Sequence, residues 1–441
     1  MNAKDRGRSR RRFLTEGAAL AGLLSPAAAG VLGAMQSANG QTATPKPEAA
    51  AKDTRAYGER SHFENSVRTP VSYGSSFNLL PESLEPPPDS DTPLQDSIGI
   101  ITPSGLHYIT SRWRSKPPDI DPQQHRLLIH GMVDHPLILT MDELKRLPSV
   151  SRVHFIECAG NTSPYEKPNA ETVQETHGRT SCSEWTGVLL SLLLKEAGVQ
   201  KGASWLVAES ADAGKHSVSI TLSKAMFDAM LVYGQNGEAV RPEQGYPLRL
   251  LVPGFEGVRN VKWLRRIKVV DGPYLAKAES TGYSILRPNL DGKALWYNFE
   301  LGPKSVITFP ASGSRKLSGP GFYEISGLAW SGGGAIRRVE VSTDGGRAWK
   351  DAQIQEPVHR VAHTRFRLGW NWDGKEAVLQ SRCTDDQGSV QPSLAEFAKT
   401  WGVKPEYFKE TQKNHQNVNH FNAIQPWRVA SDGSVHNAIW L

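Results

Sequence analysis

The chain has 441 residues, of which 38% are hydrophobic and 22% charged, so it has the composition of a globular protein and the length for two folded domains. Its formal net charge is +6, but residues 1–29 carry six basic and two acidic side chains, and the remainder therefore has a net charge of only +2. The basic excess is thus concentrated in a short leader and not spread over a binding face, so we expect no nucleic-acid partner.

The chain begins with the segment SRRRFL, Ser9–Leu14, and continues with an apolar stretch rich in Ala, Gly and Leu. This is the twin-arginine export pattern, although an apolar stretch of this length is also compatible with a membrane anchor. Pro26 and the scattered glycines disfavour a stable spanning helix. We therefore predict a twin-arginine signal peptide over 1–40, a periplasmic location and no stable membrane span.

Residues 41–97 are rich in Pro, Ser, Ala and Glu, with three consecutive prolines at 86–88. This composition predicts an extended N-terminal segment.

From 98 to 285, short apolar runs alternate with helical patterns, which predicts a mixed α/β domain. The predicted strands include RLLIHGMV, RVHFIECAG and LRLLVPG, and the predicted helices WTGVLLSLLLKEAGV (185–199) and LSKAMFDAMLVYG (222–234). The segment 271–304 has scattered Gly, Pro and Asn and is expected to cross between domains.

From about residue 300 to 441 the pattern changes to short strands with turn signals. The runs are SVITFP, GFYEISGLAW, IRRVEVST, a turn at 344–346, and RAWKDAQI. They predict a β-sandwich of the immunoglobulin type, so the whole chain is expected to be α+β.

The chain has only three cysteines, which is too few for a disulfide-stapled exported protein. No C-x-x-C-H motif is present, so we expect no covalent haem on this chain and a separate electron acceptor. Cys158, in HFIECAGN, stands where an apolar run meets small residues, a position open to a soft metal. Taken alone, a buried, small hydrophobic cysteine is the commoner outcome.

Five motifs in order alter that weighting: ECAGN (157–161), WTG (185–187), YPLRLLVPG (246–254), NVKWLRRI (260–267) and GLAWSGGG (327–334). With them, the chain from about residue 98 onward resembles the sulfite oxidase family. The resemblance implies that Cys158 and the dithiolene of one molybdopterin bind molybdenum, so Cys158 is both a catalytic residue and the predicted metal ligand.

The resemblance also implies the residues that hold the cofactor. They are Arg249, Asn260, Val261 and Lys262, with Gln244 where many members have a histidine and Asp212 in a looser match. A buried phosphate needs such guanidinium and backbone donors. A salt bridge at a strand edge is the alternative for Arg249, and a solvated turn is the alternative for Asp212.

For the substrate, the resemblance implies a tyrosine, a tryptophan and arginines around an anion. Tyr283 matches the tyrosine, with a linker aromatic as the alternative, and Trp185 matches the tryptophan of the pocket wall. Arg367 corresponds to an arginine from the second domain, and Arg112 in YITSRWRS to a shifted arginine.

The residues after Asn161 are Thr162 and Ser163, where oxidases of free sulfite have arginine. Fewer cations near the metal should weaken the binding of a small dianion. Together with ITPSGLHY (101–108) and NAIQPWRVASDGSV (422–435), this resembles the family branch that oxidises sulfane sulfur on a carrier protein in bacterial thiosulfate oxidation.

The resulting hypothesis is a periplasmic molybdenum enzyme that transfers oxygen atoms to carrier-bound sulfane sulfur and passes electrons to a c-type cytochrome subunit. The resemblance implies a homodimer or heteromer. The alternatives are a sulfite dehydrogenase acting on free sulfite and a cofactor-free periplasmic interaction subunit. His415 and His420, five apart in an Asn-rich segment, are expected to be surface polar residues and not a second metal site.

Overall fold

The structure, a computed structural model, describes residues 58–71, 89–110, 117–164, 167, 169–297, 299–410 and 418–440. The predicted signal peptide, Arg112 and His415 lie outside the described residues. The chain divides into two compact units, Met1–Ser66 and Val67–Leu441, and the second contains every element described below. Among the described residues, no helix has the length and apolar character needed to cross a membrane.

The first half of the second unit is built on two five-stranded sheets. The strands of this half are β1 (Thr69–Pro70), β2 (Ser90–Asp91), β3 (Arg126–Gly131), β4 (Leu137–Thr140), β5 (Val150–Glu157), β6 (Thr180–Leu189), β7 (Trp205–Ser210), β8 (Ser217–Thr221), β9 (Met230–Gln235), β10 (Glu238–Ala239), β11 (Arg249–Leu251), β12 (Leu264–Val270), β13 (Ile285–Leu286) and β14 (Ala294–Leu295). One five-stranded sheet has the strand order β10-β9-β6-β5 with β11 against β9, and the other the order β4-β3-β12-β7-β8. Two small sheets have two strands each, β1-β2 and β13-β14. The helices of this half are α1 (Met141–Lys145), α2 (Val173–His177), α3 (Leu190–Ala197), α4 (Leu222–Phe227) and α5 (Lys277–Ser280).

The second half consists mainly of two antiparallel sheets, β15-β16-β20-β19 and β18-β17-β21-β22-β23. Its elements are β15 (Lys304–Phe309), β16 (Gly321–Trp330), β17 (Ile336–Ser342), β18 (Lys350–Asp351), β19 (Gln353–Ile354), β20 (Thr364–Trp372), β21 (Ala377–Asp385), α6 (Leu394–Trp401), β22 (Trp427–Val429) and β23 (Val435–Asn437). Ile325 and Leu328 of one sheet belong to the same buried cluster as Val341 and Leu379 of the other, so the sheets share one apolar core.

The predicted strands of the second half are confirmed. The run GFYEISGLAW coincides with β16, and IRRVEVST forms a hairpin with Lys350–Asp351 of RAWKDAQI around the turn at 344–346. The end of RAWKDAQI, Gln353–Ile354, instead forms β19 and pairs with β20 of the other sheet. The α+β architecture, a mixed α/β domain followed by a β-rich one, is confirmed as well. The domain boundaries at 98–285 and 300–441 remain predictions.

Two predicted helices are wrong in part. The helix expected over 185–199 begins only at Leu190, because Trp185–Leu189 belong to β6 and pair with β9. The helix expected over 222–234 ends at Phe227, and the chain then enters β9. Both stretches are continuous apolar runs buried between neighbouring strands, and such runs do not distinguish a buried strand from a buried helix.

A close approach of the backbone at Gly257 brings the chain after β11 against the end of β5. A Cβ atom at this position would lie 2.8 Å from the Glu157 carbonyl oxygen and 2.9 Å from the Tyr108 hydroxyl oxygen. Such distances leave no room for a side chain, so glycine is required there. The approach places residues 252–262 beside the cysteine that follows β5.

Candidate active site

Cys158 is the first residue after β5, at the edge where the strand gives way to a turn. Its main-chain N–H donates to the Arg179 carbonyl at 2.9 Å, and its carbonyl accepts from the main-chain N–H of Asn161 at 2.9 Å. The side chain of Cys158 is partly exposed, whereas Cys182 and Cys383 are fully buried, and none of the three forms a disulfide. Burial raises the pKa of Cys182 to about 12, so that thiol stays protonated. Cys158 is therefore the accessible thiol of the chain and the one suited to hold a metal.

Tyr108 forms the neighbouring wall of the site and was not among the residues predicted from sequence. It is buried, and burial raises the pKa of its hydroxyl well above the usual 10, an effect that the negative charge of Cys158 reinforces. Arg249 and Tyr283 also act on this hydroxyl electrostatically. Tyr108, Cys158, Arg249 and Tyr283 thus come together from four separate stretches of the chain.

His107 stacks on Tyr108 with ring centroids 5.2 Å apart, and its Nδ1 lies 3.0 Å from the Tyr108 carbonyl oxygen. Burial lowers the pKa of His107 to about 3, so the ring is neutral. Its Nε2 is buried and has no hydrogen-bond partner among the described residues. A neutral imidazole with one unused nitrogen can therefore serve a bound group at this wall.

Arg249 is a buried cation on β11. Its Nη1 donates to the main-chain and side-chain oxygens of Gln244, both at 3.0 Å, while its Nε has no partner among the described residues. Gln244 in turn donates from Nε2 to the Tyr108 carbonyl at 2.8 Å. Burial lowers the pKa of Arg249 to about 10. Gln244 thus fixes Arg249 beside Tyr108, which places both predicted cofactor residues at the cysteine site.

Lys262 is the second cation of the site. Its Nζ donates to two neutral acceptors, the carbonyl oxygens of Thr110 at 3.0 Å and Glu243 at 2.7 Å. Loss of hydration, together with the positive charge of Arg249, lowers the pKa of Lys262 from its ordinary 10.5 to about 7. Two cations that disfavour each other's charge are a poor arrangement unless an anion is bound between them.

Asn260 and Val261 shape the loop that carries Lys262. The Asn260 Oδ1 accepts from the Val252 N–H at 2.7 Å, and its Nδ2 donates to the Glu256 carbonyl at 3.2 Å. The Val261 carbonyl accepts from Leu250 N–H at 2.8 Å. These side-chain and main-chain contacts hold the loop against β11; direct contact with a cofactor remains a prediction.

Asp212 organises a turn after β7 and is buried, so the alternative of a solvated turn is wrong. Its Oδ1 accepts from the Ser210 hydroxyl and from the His216 N–H at 3.2 Å. His216 Nε2 lies 3.1 Å from the Val258 carbonyl oxygen, which joins this turn to the loop before Lys262. Through His216, the turn at Asp212 therefore supports the loop that leads to Lys262. Direct contact of Asp212 with a cofactor remains a prediction.

Trp185 is completely buried, and its Nε1 donates to the His154 carbonyl at 3.1 Å. Its ring contacts His107 edge-on at 5.8 Å between centroids, so it packs behind the site. Tyr283 is partly exposed and acts electrostatically on Tyr108, and its role at the substrate remains a prediction.

Arg367 lies on β20 of the sandwich and forms an ion pair with Glu324, both half-exposed. The described contacts of Arg367 do not join it to Cys158, so its role at the substrate remains a prediction. His420 is buried and its N–H donates to the Ala159 carbonyl at 2.7 Å, so the expectation of a surface residue is wrong. Among the described residues, no cluster of three His, Cys, Asp or Glu side chains suits a second metal.

The residues of the site fit the molybdopterin cofactor that the resemblance implies. Cys158 offers a soft sulfur ligand. The hydrogen-bond partners of Arg249 and Lys262 among the described residues are neutral oxygens, and Arg249 Nε and His107 Nε2 have no partner there. A soft metal carried by an anionic organic group would satisfy all of these atoms.

Comparisons with known proteins agree with this geometry. Residues 114–277 match the family model of the oxidoreductase molybdopterin binding domain, and residues 296–411 match that of the Mo-co oxidoreductase dimerisation domain. The chain is 40% identical to the solved structure of the sulfane dehydrogenase SoxCD from Paracoccus pantotrophus, with a TM-score of 0.78, covering 88% of this chain and 94% of that one.

Curated relatives are more distant. Mitochondrial sulfite oxidase of Mus musculus is 30% identical over 356 residues, covering 74% of this chain and 62% of the relative. Nitrate reductase [NADH] of Volvox carteri is 31% identical over 361 residues, covering 73% of this chain and 40% of the relative. This chain therefore spans between two fifths and about three fifths of the length of these two curated relatives.

Proposed function

This chain belongs to the sulfite oxidase family of molybdopterin-dependent oxidoreductases, and from that premise we propose that it oxidises sulfane sulfur bound to a carrier protein. Oxidation would proceed by oxygen-atom transfer, and the electrons would pass to a separate c-type cytochrome. The proposal places the enzyme in the periplasm, reached by the twin-arginine route that residues 1–40 predict.

The observation that carries the choice of substrate is the 40% identity to the sulfane dehydrogenase SoxCD over nearly its whole chain, against 30% to a sulfite oxidase. The polar groups after the cysteine support it. Thr162 and Ser163 follow Asn161, so neither position supplies a cation for a small dianion. A carrier protein can contribute binding energy from contacts remote from the sulfur and depends less on such cations.

Each described residue of the site has a distinct part in this proposal. Cys158 would hold the metal, and Arg249 and Lys262 would offset the negative charge of the cofactor's phosphate. The cofactor, when bound, supplies the two-electron change that accompanies oxygen-atom transfer. For each oxygen atom moved from water to sulfur, two electrons leave toward the cytochrome and two protons are released.

Tyr108 and Tyr283 would act on the reacting sulfur group. Because burial raises the pKa of Tyr108, its hydroxyl keeps its proton and can donate to an oxygen atom that gains negative charge. Tyr283, partly exposed beside it, would face the incoming substrate.

The experiment is a reduction assay with purified protein and a c-type cytochrome as acceptor. One arm contains a protein bearing a cysteine persulfide, one contains free sulfite and one contains neither; molybdenum per chain is measured on the same sample. Reduction that requires the persulfide supports the proposal. Reduction with sulfite alone would favour the sulfite dehydrogenase alternative, and a chain without molybdenum would favour the interaction subunit.

A further inference from the structure

Directly behind Cys158 lies a fully buried ion pair between the two halves of the chain. Glu157 is the last residue of β5, and Lys304 is the first residue of β15 in the sandwich; both are 0% exposed. The Lys304 Nζ lies 2.6 Å from the Glu157 Oε1. The carboxylate next to the predicted metal ligand is thus held by a cation from the second domain.

The remaining hydrogen-bonding capacity of this pair is used by neighbours on both sides. The Trp330 Nε1 donates to the Glu157 Oε2 at 2.8 Å, and the Asn161 Nδ2 donates to the Oε1 at 2.9 Å. The Lys304 Nζ also donates to the Thr162 hydroxyl at 2.9 Å. Lys304 and Trp330 therefore bind Glu157, just before the turn that begins at Cys158, and Lys304 also binds Thr162 at the end of that turn.

Two residues of the C-terminal segment also contact this turn. The His420 N–H donates to the Ala159 carbonyl at 2.7 Å, and the Thr162 hydroxyl donates to the Phe421 carbonyl at 2.5 Å. Thr162 has a φ of 62°, a left-handed conformation that a threonine adopts only when its surroundings impose it. Residues beyond position 300 therefore help to shape the turn of residues 158–162, together with Arg179 on the side of β6.

A buried ion pair is a weak source of stability, because the loss of hydration offsets most of the attraction between the charges. Its position next to the ligand cysteine offers a different explanation. We propose that Glu157 and Lys304 are positioning residues: through this pair the second domain orients the Cys158 sulfur toward the metal and keeps the charge behind it balanced. The inference rests on the proposed role of Cys158 as metal ligand.

The test is a double-mutant cycle with Glu157→Gln, Lys304→Met and the combined variant, purified with cofactor. The readouts are molybdenum per chain, the Mo(V) electron paramagnetic resonance signal, and kcat against KM. Each single change leaves an uncompensated buried charge beside the ligand. We expect each to shift or broaden the Mo(V) signal and to lower kcat or molybdenum content about 10- to 100-fold, the range for residues that orient metal ligands.

The combined variant removes both charges, so we expect it to recover part of the molybdenum content while its Mo(V) signal stays altered. Lys304→Arg, which keeps the cation, serves if Lys304→Met does not fold, and is expected to retain a signal closer to that of the wild type. Glu340→Gln is the control, since Glu340 is a buried carboxylate of the sandwich that pairs with the partly exposed Arg382 and Arg338. It should alter thermal stability and leave the Mo(V) signal unchanged.

Single variants with full molybdenum content and a wild-type Mo(V) signal would overturn the proposal. Loss of stability without a change in the signal would assign the pair a purely structural role and overturn it equally. If the wild-type protein holds molybdenum but oxidises no sulfur compound, the proposed substrate is wrong, and the resonance signals still decide the role of the pair.

Discussion

The Arg249 guanidinium lies over the indole ring of Trp185, with its central carbon 5.4 Å from the ring centroid. The indole is itself fixed by its hydrogen bond to the His154 carbonyl at 3.1 Å. The face of an aromatic ring offsets part of the hydration that a buried cation loses. Trp185 therefore supports the cation that we predict to bind the cofactor.

Arg249→Gln should cause a 10-fold or greater loss of bound molybdenum. A charge-assisted hydrogen bond contributes about 1.5 to 3 kcal/mol, and each 1.4 kcal/mol corresponds to a factor of about ten in affinity. The molybdenum content of Arg249→Lys should fall between those of the wild type and Arg249→Gln, because a lysine keeps the charge but not the planar donor set. The measurement is molybdenum per chain after purification and dialysis. Arg338→Gln, whose side chain is exposed on β17, is the control and should retain its metal. Equal retention in Arg249→Gln would contradict the assignment.

Tyr108→Phe should lower kcat about 10- to 100-fold with little change in KM, since one preorganised donor to a developing negative charge is worth at least that much. Because the pKa of Tyr108 is raised above 10, its ionisation should not limit the activity of the wild type at any lower pH. Steady-state kinetics from pH 6 to 10 provide the check. Tyr323→Phe, in the sandwich, is the matched control. An unchanged kcat for Tyr108→Phe would remove this hydroxyl from the reaction.

Lys262 should make the stability of the cofactor-free protein depend on pH. Its pKa is about 7 in the folded chain, below the ordinary 10.5, because burial and Arg249 disfavour the charged form, although Asp89, Glu243 and Cys158 favour it. Between these two values the unfolded chain binds a proton that the folded chain does not. Stability from this group therefore rises as the pH increases from about 7 toward 10.5, and the penalty is largest below pH 7.

Lys262→Met removes that penalty. The melting temperature of cofactor-free Lys262→Met should exceed that of the wild type at pH 6.5, and the difference should shrink by pH 9.5. The same variant should bind cofactor more weakly, since it lacks the charge that faces the phosphate. Parallel melting curves across this pH range would show that Lys262 is not desolvated in the empty site.

The sequence predicts well those features whose signal is local. The run before Cys158 predicts β5, and the alternating run 321–330 predicts β16, because each strand carries its pattern within a few residues. The motifs YPLRLLVPG and NVKWLRRI, which lie close together in the chain, predict Arg249 and Lys262 as cofactor-binding residues. In the structure both lie at the cysteine site.

Long-range relationships had no such signal. Glu157 and Lys304 are 147 positions apart, and nothing in either neighbourhood indicates a partner. Tyr108 ends the stretch ITPSGLHY, which carries no local signal of a site residue. It becomes part of the site only because the chain at Gly257 packs against its hydroxyl group. The Asn-rich segment around His420 predicts a surface histidine, yet His420 is buried and its main chain binds Ala159 in the turn after Cys158.

Cys158→Ser should abolish turnover, because the serine hydroxyl stays protonated at neutral pH and does not replace the thiolate as the metal ligand. Cys383→Ser is the control, since Cys383 is fully buried in the sandwich core. Some stability will be lost in that control through the buried hydroxyl, but its sulfur-dependent cytochrome reduction should persist. Retained turnover in Cys158→Ser would reject the ligand assignment.

The most direct measurement is the sulfur coordination of molybdenum by X-ray absorption at the metal edge, in the wild type and in Cys158→Ser. The account predicts one sulfur neighbour fewer in the variant than in the wild type. An identical number of sulfur neighbours in the two proteins, or a wild type that carries no molybdenum, would contradict it.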